Sequence, residues 1–270
     1  MNETTKLQIK NLIASKINEK INKYTSESEY KPFFEAIFTK ETVVIASIMQ
    51  SLYTSFGMSL YEQIAKILAE GAGYQVNTQY DLFGQINDNT EVLINQICSE
   101  IETKRRKPNK QNEITLIRNS IQSGATNIDQ DKRVDVFVVK PNGEELYVDI
   151  TTVKPNLKEF KSLRRKMLRW CALRFSQNPN AHVKTCIGIP YNPYHPNEYS
   201  RWTAGVCDVK EELLVQEKLW EEFAGEDVFS ELLEIFQEVG DELKDKISEF
   251  MKSQSPEEVQ LSLPLDEKEN

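Results

Sequence analysis

The sequence predicts an α/β protein, a mixed sheet flanked by helices, with helical additions at its N- and C-terminal ends. Three observations predict it. Two runs of strict alternation, RVDVFVV (133–139) and ELYVDITT (145–152), stand side by side, joined by Pro-Asn-Gly-Glu. Asn-Gly supplies the positive-φ residues that a tight hairpin needs. A long amphipathic helical pattern, LKEFKSLRRKMLRWCALRFSQ (157–177), follows at once, and a third apolar run, VKTCIGI, opens at 183. With a short helix at 112–122 in front, the order is helix, strand, strand, helix, strand.

The remaining elements follow from the same periodicities. Leu7, Ile9, Leu12, Ile13, Ile17 and Ile21 recur at about 3.6 residues and predict a helix over 4–24. A second helix is expected over 32–53, after a break at 26–32. Ser59 reads as an N-cap, with Glu62 three residues on as in a capping box, and Gly71 and Gly73 end that helix. Residues 74–88 read as irregular or short extended structure. A helix is expected from Thr90 to about Lys104, closed by the charge run KRRKPNK (104–110). The strand at 183 runs into a loop rich in proline, tyrosine and asparagine. Two acidic helices are expected between 209 and 250, and the polar tail 253–270 has too little apolar surface to order.

Composition narrows the function. Four widely spaced cysteines and two histidines argue against a disulfide framework or a zinc site. No apolar run approaches a membrane span, and the N-terminus lacks the pattern of a secretion signal, so a cytosolic protein is expected. The net charge of −9 conceals two halves. From Gly205 onward there are 20 acidic and 6 basic residues, whereas the first 204 residues hold 22 acids and 27 bases. The two predicted strands therefore lie in a basic region suited to a polyanion.

Asp135 and Asp149 are the sharpest feature. Alternation puts Val134, Val136 and Val138 on one face of the first strand and Asp135, Phe137 and Val139 on the other. Tyr147, Asp149 and Thr151 share a face of the second. Two carboxylates inside apolar runs of neighbouring strands are costly unless a cation lies between them. A divalent metal is the natural choice; a solvated sheet face is the alternative.

An acid on one strand and an Asp-X-X pattern on the next resembles the PD-(D/E)XK nuclease core. The stretches TSFGMSLYEQIAKILAEG, YVDITTVKPN, IGIPYNPY and LWEEFAGEDVFSELLEIFQEVG resemble the TdeIII family of type II restriction endonucleases, over about residues 50–240. The resemblance implies a prokaryotic cytoplasmic enzyme that hydrolyses double-stranded DNA with Mg²⁺, at GGNCC sites, as a homodimer. It also implies an organisation of N-terminal helices (1–56), nuclease core with DNA-binding elements (57–204), acidic helical annex (205–252) and tail (253–270). The family's second strand carries lysine where this chain has Thr151, while Thr152 to Asn156 fit the pattern.

In that frame Asp135 and Asp149 are the expected metal ligands, with the Ile150 carbonyl beside them. Glu62 is the third acid, unless it only closes the capping box on Ser59. The nearest lysine after Asp149 is Lys154, which either takes the catalytic role or touches phosphate, and the Thr151 hydroxyl could hold a water. Glu145 is expected to be solvated. The basic helix offers Lys158, Lys161, Arg164, Arg165 and Arg169 to DNA, chiefly to its phosphates, or else forms a solvated face. Arg105 and Arg106 in the charge run, and Asn192 and Arg201 in the loop after the third strand, are further DNA-binding candidates. His182 and His195 read as surface residues. Two other classes stay open: a DNA-binding module that has lost catalysis, and a helical interaction protein with an incidental acid pair.

Overall fold

The computed structural model describes residues 1–24, 31–121 and 132–254. Of the expected tail, only 253–254 fall within these, and the expected break at 26–32 lies almost wholly outside. Helix α1 (Glu3–Lys23) starts where the Asn2 side chain accepts from the Thr5 amide, and it buries Ile9 and Ile13. The single helix expected over 32–53 is divided into α2 (Pro32–Glu35) and α3 (Lys40–Ser55). Thr39 causes the division, because it caps α3 by accepting from the Thr42 amide at 3.2 Å.

The chain does not restart at Ser59. Residues Phe56–Leu60 form a π-helical turn that passes directly into α4 (Tyr61–Gly71). Leu60 is already helical and makes no side-chain cap, so Ser59 has no free N-terminal amides to satisfy. The expected capping box is absent, and Glu62 is used elsewhere.

Strand β1 (Gln75–Asp81) is the short extended alternative expected within 74–88. Next come α5 (Asp88–Glu102), α6 (Lys110–Ser120), β2 (Arg133–Val139), β3 (Glu144–Ile150), α7 (Leu157–Gln177) and β4 (His182–Ile189). Asparagine caps α5, α6 and α7, each side chain accepting from an amide one turn on. Of the expected Asn-Gly pair, only Gly143 takes positive φ, at +83°, and Asn142 serves the β2–β3 turn instead by accepting from the Glu144 amide at 3.0 Å.

The acidic C-terminal segment holds more than helices. It gives α8 (Val209–Glu212), β5 (Leu213–Val215), α9 (Glu217–Ala224) and α10 (Phe229–Gln254). The five strands lie in the order β1-β2-β3-β4-β5. The first three are antiparallel, and β3, β4 and β5 run parallel. The two parallel pairings need crossovers. Helix α7 supplies the first, and the loop, a 3₁₀ turn (Trp202–Val206) and α8 supply the second.

Both faces of the sheet are covered, so the last five residues of β3 and of β4 are all buried. One cluster joins Tyr147, Phe160, Met167, Trp170 and Ile187 under α5, α6 and α7. The other joins Val136, Val138, Leu146 and Val148 with Ile13, Ile64, Leu219 and Val239, under α1, α4, α9 and α10.

The sheet departs from simple alternation at one place. Val136 and Val138 face the second cluster, but Val134 packs in the first. Gln79 lies opposite Asp135 by register, the pairing skips both residues, and Gln79 has φ +51°. A left-handed non-glycine residue in a strand is strained, and such kinks gather next to active sites. The alternation expected for Val134, Val136 and Val138 is broken at the residue that matters most, Asp135.

Candidate active site

The kink brings the sequence's acids together. The β2–β3 ladder is paired as far as Val136 and Val148. One step beyond, Asp135 faces Asp149, and the Ile150 amide donates to Asp135 Oδ2 at 2.9 Å. Glu62, buried at the first turn of α4, accepts from Gln79 Nε2 at 2.8 Å. The strained Gln79 thus ties β1 to α4 beside Asp135.

These groups feel one another. Burial pushes the Asp135 carboxyl up to about 7, and Asp149 adds to the rise; the Ile150 amide opposes it. Burial also raises Asp149, against the charge and hydrogen bond of Lys166, while Glu159 adds to the rise. Glu62 is raised by burial, eased by Gln79, and raised further by Asp149. Desolvated acids that resist ionisation together form a site with a deficit of positive charge.

Lys166, on α7, supplies one cation. Its ammonium donates to Asp149 Oδ2 and lies 5.1 Å from the centre of the Trp170 ring, one turn along the helix. Thr151, at the motif's lysine position, donates through its hydroxyl to Glu159, also on α7. Glu159, Lys166 and Trp170 share one face of that helix by their spacing. Lys154 is exposed and lies 5.4 Å from the Tyr194 ring. In sequence Lys166 is one base among many in the amphipathic pattern 157–177, and neither Gln79 nor Glu159 carries a local signal that marks it.

Most of the basic DNA-binding candidates are engaged within the protein. Arg164 is 2 % exposed, clamped between Glu113 and Glu212. It is a core residue, beyond the reach of a duplex. Lys110 joins the same buried cluster through Glu212 at 2.8 Å. Lys161 pairs with Glu102 at 3.0 Å, Arg165 donates to Asn95, Arg169 pairs with Glu91, and Arg106 pairs with Glu100 at 2.7 Å. Lys158 and Arg105 are exposed. Asn192 and Arg201 hold their own loop. Asn192 donates to the Asn197 carbonyl, and Arg201 Nε donates to the Pro155 carbonyl at 2.7 Å. Glu145 is not simply solvated, because Arg174 grips both its oxygens at 2.6 Å.

The family model of the type II restriction endonuclease HinfI matches residues 1–240. The chain belongs to the HinfI family of type II restriction endonucleases. The match is to HinfI rather than to TdeIII, so the resemblance holds at the level of the enzyme class. Among relatives, the type II restriction enzyme HgiCII of Herpetosiphon aurantiacus is 26 % identical over 80 % of each chain. HgiBI of the same organism is 22 % identical over 89 % of this chain and 94 % of its own. MjaII of Methanocaldococcus jannaschii is 25 % identical over 68 % of this chain and 52 % of its own. As a member of the HinfI family the protein is a site-specific deoxyribonuclease, and its macromolecular partner is DNA. The mixed sheet with flanking helices agrees with the α/β fold of restriction endonucleases. No helix among the described residues is long and apolar enough to cross a membrane.

Proposed function

We propose that Asp135, Asp149, Glu62 and Lys166 form the active centre of a PD-(D/E)XK-type restriction endonuclease that hydrolyses double-stranded DNA with Mg²⁺. The observation that carries this reading is the pairing of the Lys166 ammonium with Asp149, beside a second carboxylate at a kink in the sheet. Lys166 takes the part of the motif lysine that Thr151 cannot play. Its charge can stabilise the phosphorane-like transition state and orient the attacking water.

Among the described residues no three His, Cys, Asp or Glu side chains form a ready-made metal cage. Mg²⁺ does not require one, since it is held by one or two carboxylates and keeps several waters. Asp135 and Asp149 fit that donor set, with the Ile150 carbonyl as a third oxygen. When bound, a divalent cation supplies phosphate neutralisation and a more acidic water. Glu62 extends the acidic surface from α4, with Gln79 fixing its orientation. The GGNCC site implied by the TdeIII resemblance is the first sequence to assay. A palindromic site implies two copies of the chain related by a two-fold axis. The test is Mg²⁺-dependent cutting of plasmid DNA at discrete sites by wild type and by Asp135→Asn. Wild-type protein that leaves DNA intact with every divalent metal, or an Asp135→Asn variant that cuts normally, overturns the reading.

The raised carboxyl gives a second, activity-free measurement. Asp135 holds its proton more tightly in the folded chain than in the unfolded one. Its contribution to stability is therefore present below its ordinary pKa and is lost as pH rises through about 7. Without metal, Asp135→Asn should be more stable than wild type at about pH 8, with the gap closing at about pH 4. Mg²⁺ or Ca²⁺ should raise the melting temperature of wild type more at about pH 8 than at about pH 6, because protons compete for the same oxygens. An equal metal effect in wild type and Asp135→Asn would remove Asp135 from the ligand set.

A further inference from the structure

We propose that the apolar face of α2 and α3 is the surface through which two copies of this chain associate. The proposal rests on the reading of the protein as a two-fold nuclease and adds where the two-fold interface lies.

Helix α3 is poorly packed for its composition. Among its described side chains Ile48 alone is fully buried, and its contacts are chiefly with α2, the Phe56–Leu60 turn and α10. The surface it leaves is concentrated rather than scattered. Phe33 is 83 % exposed, Phe34 61 %, Ile37 75 %, Phe38 50 %, Met49 40 % and Tyr53 62 %. At roughly 200 Å² for each large side chain, these six present about 700 Å². A standard interface takes about 800 Å² from each partner, whereas exposed apolar residues on monomers are usually scattered.

The chemistry of the face selects the occupant. Residues 42–61 contain no Asp, Glu, Lys or Arg, and the four charges before them, Lys31, Glu35, Lys40 and Glu41, sum to zero, so the face has no excess of positive charge to release counterions from DNA. Nor does it carry a charge pattern that would select a charged protein. A neutral apolar face can meet its own copy across a two-fold axis without placing like charges together, as an isologous contact requires. The face is also joined to the proposed active centre. Helix α3 runs through the π-helical turn into α4, so Tyr53 stands nine residues, or about 13 Å of helix, from Glu62. Association here brings the two acidic centres near a common axis, as a short palindrome demands.

The decisive measurement is sedimentation equilibrium of the full chain and of two double variants, Phe34→Glu with Ile37→Glu and Met49→Glu with Tyr53→Lys. All four side chains are exposed, and far-UV circular dichroism checks that the variants fold. Wild type should sediment as a dimer of the 31.2 kDa chain. Each variant should weaken association by about 100-fold or more, because every substitution enters the interface twice. Hydrogen exchange on wild type gives an independent reading: amides of 40–55 should gain protection as protein concentration rises. A wild type that stays monomeric at all concentrations, or variants that dimerise normally, overturns the proposal. So do variants that keep the dimer and lose DNA affinity, since DNA would then be the occupant. A dimer abolished by the variants in a protein that cuts no DNA supports the interface while the nuclease reading fails. A wild-type monomer that cuts DNA does the reverse.

Discussion

Replacing Lys166 with alanine should abolish cleavage, while replacing Lys154 should leave it nearly intact. Lys166 donates to Asp149 and is braced by Trp170, so its ammonium stands where a scissile phosphate would meet the acids. Losing a charge stabiliser and a proton-handling group together should cost about 10³-fold or more in rate. Lys154 lies against Tyr194 on the exposed loop and should cost about tenfold at most, through a lost phosphate contact. The sharper test is rescue. Thr151 sits at the motif's usual lysine position, so adding Thr151→Lys to Lys166→Ala should restore a substantial part of the lost rate. Plasmid cleavage with Mg²⁺ under single-turnover conditions reads all four proteins. Wild-type cutting by Lys166→Ala, or a dead Lys154→Ala, would return the catalytic role to Lys154. Lys166→Arg should fall between, since it keeps the charge and changes its shape.

The sequence made some of this legible and hid the rest for identifiable reasons. The acids could be read because Asp135 and Asp149 interrupt apolar alternation, where a charge needs a purpose. The hairpin could be read because Asn142 and Gly143 carry turn chemistry. Lys166 stayed hidden because it comes to Asp149 from seventeen residues away, across a helix, and the strand motif looks only at near neighbours. Gln79 stayed hidden because QVNTQYD lacks the apolar density of a buried strand; β1 is an edge strand, and edges tolerate polar residues. Strand β5 has only three residues, too few for periodicity to separate it from the helices on either side. Ser59 and Glu62 matched a capping box in letters. The match had no force once α3 continued through the π-helical turn, which no local pattern announced.

Arg164 shows how one signal was present and outweighed. On α7 it lies four residues after Phe160, three before Met167 and seven before Cys171, all buried, so its spacing places it on the apolar stripe. Reading it as a DNA contact counted its charge and ignored its phase. The structure encloses it with Glu113 and Glu212, which come from elements 51 and 48 residues distant. Lys110 completes a cluster of two cations and two anions. Removing one member leaves an unpaired charge in the core, so Arg164→Ala should destabilise the fold by about 3–5 kcal/mol. That is a large share of the roughly 5–15 kcal/mol that holds a domain together. Arg164→Met combined with Glu113→Gln should recover much of the loss, since the packing volume returns and one negative charge leaves with the positive one. Urea unfolding of wild type and the two variants measures this directly. DNA binding supplies the contrast: in the Arg164→Met, Glu113→Gln protein the salt dependence of affinity should match wild type, whereas Lys158→Ala or Arg105→Ala should each reduce its slope by about one if they touch phosphate. Near-wild-type stability in Arg164→Ala, together with a lower salt slope, would move Arg164 out of the core and onto the DNA.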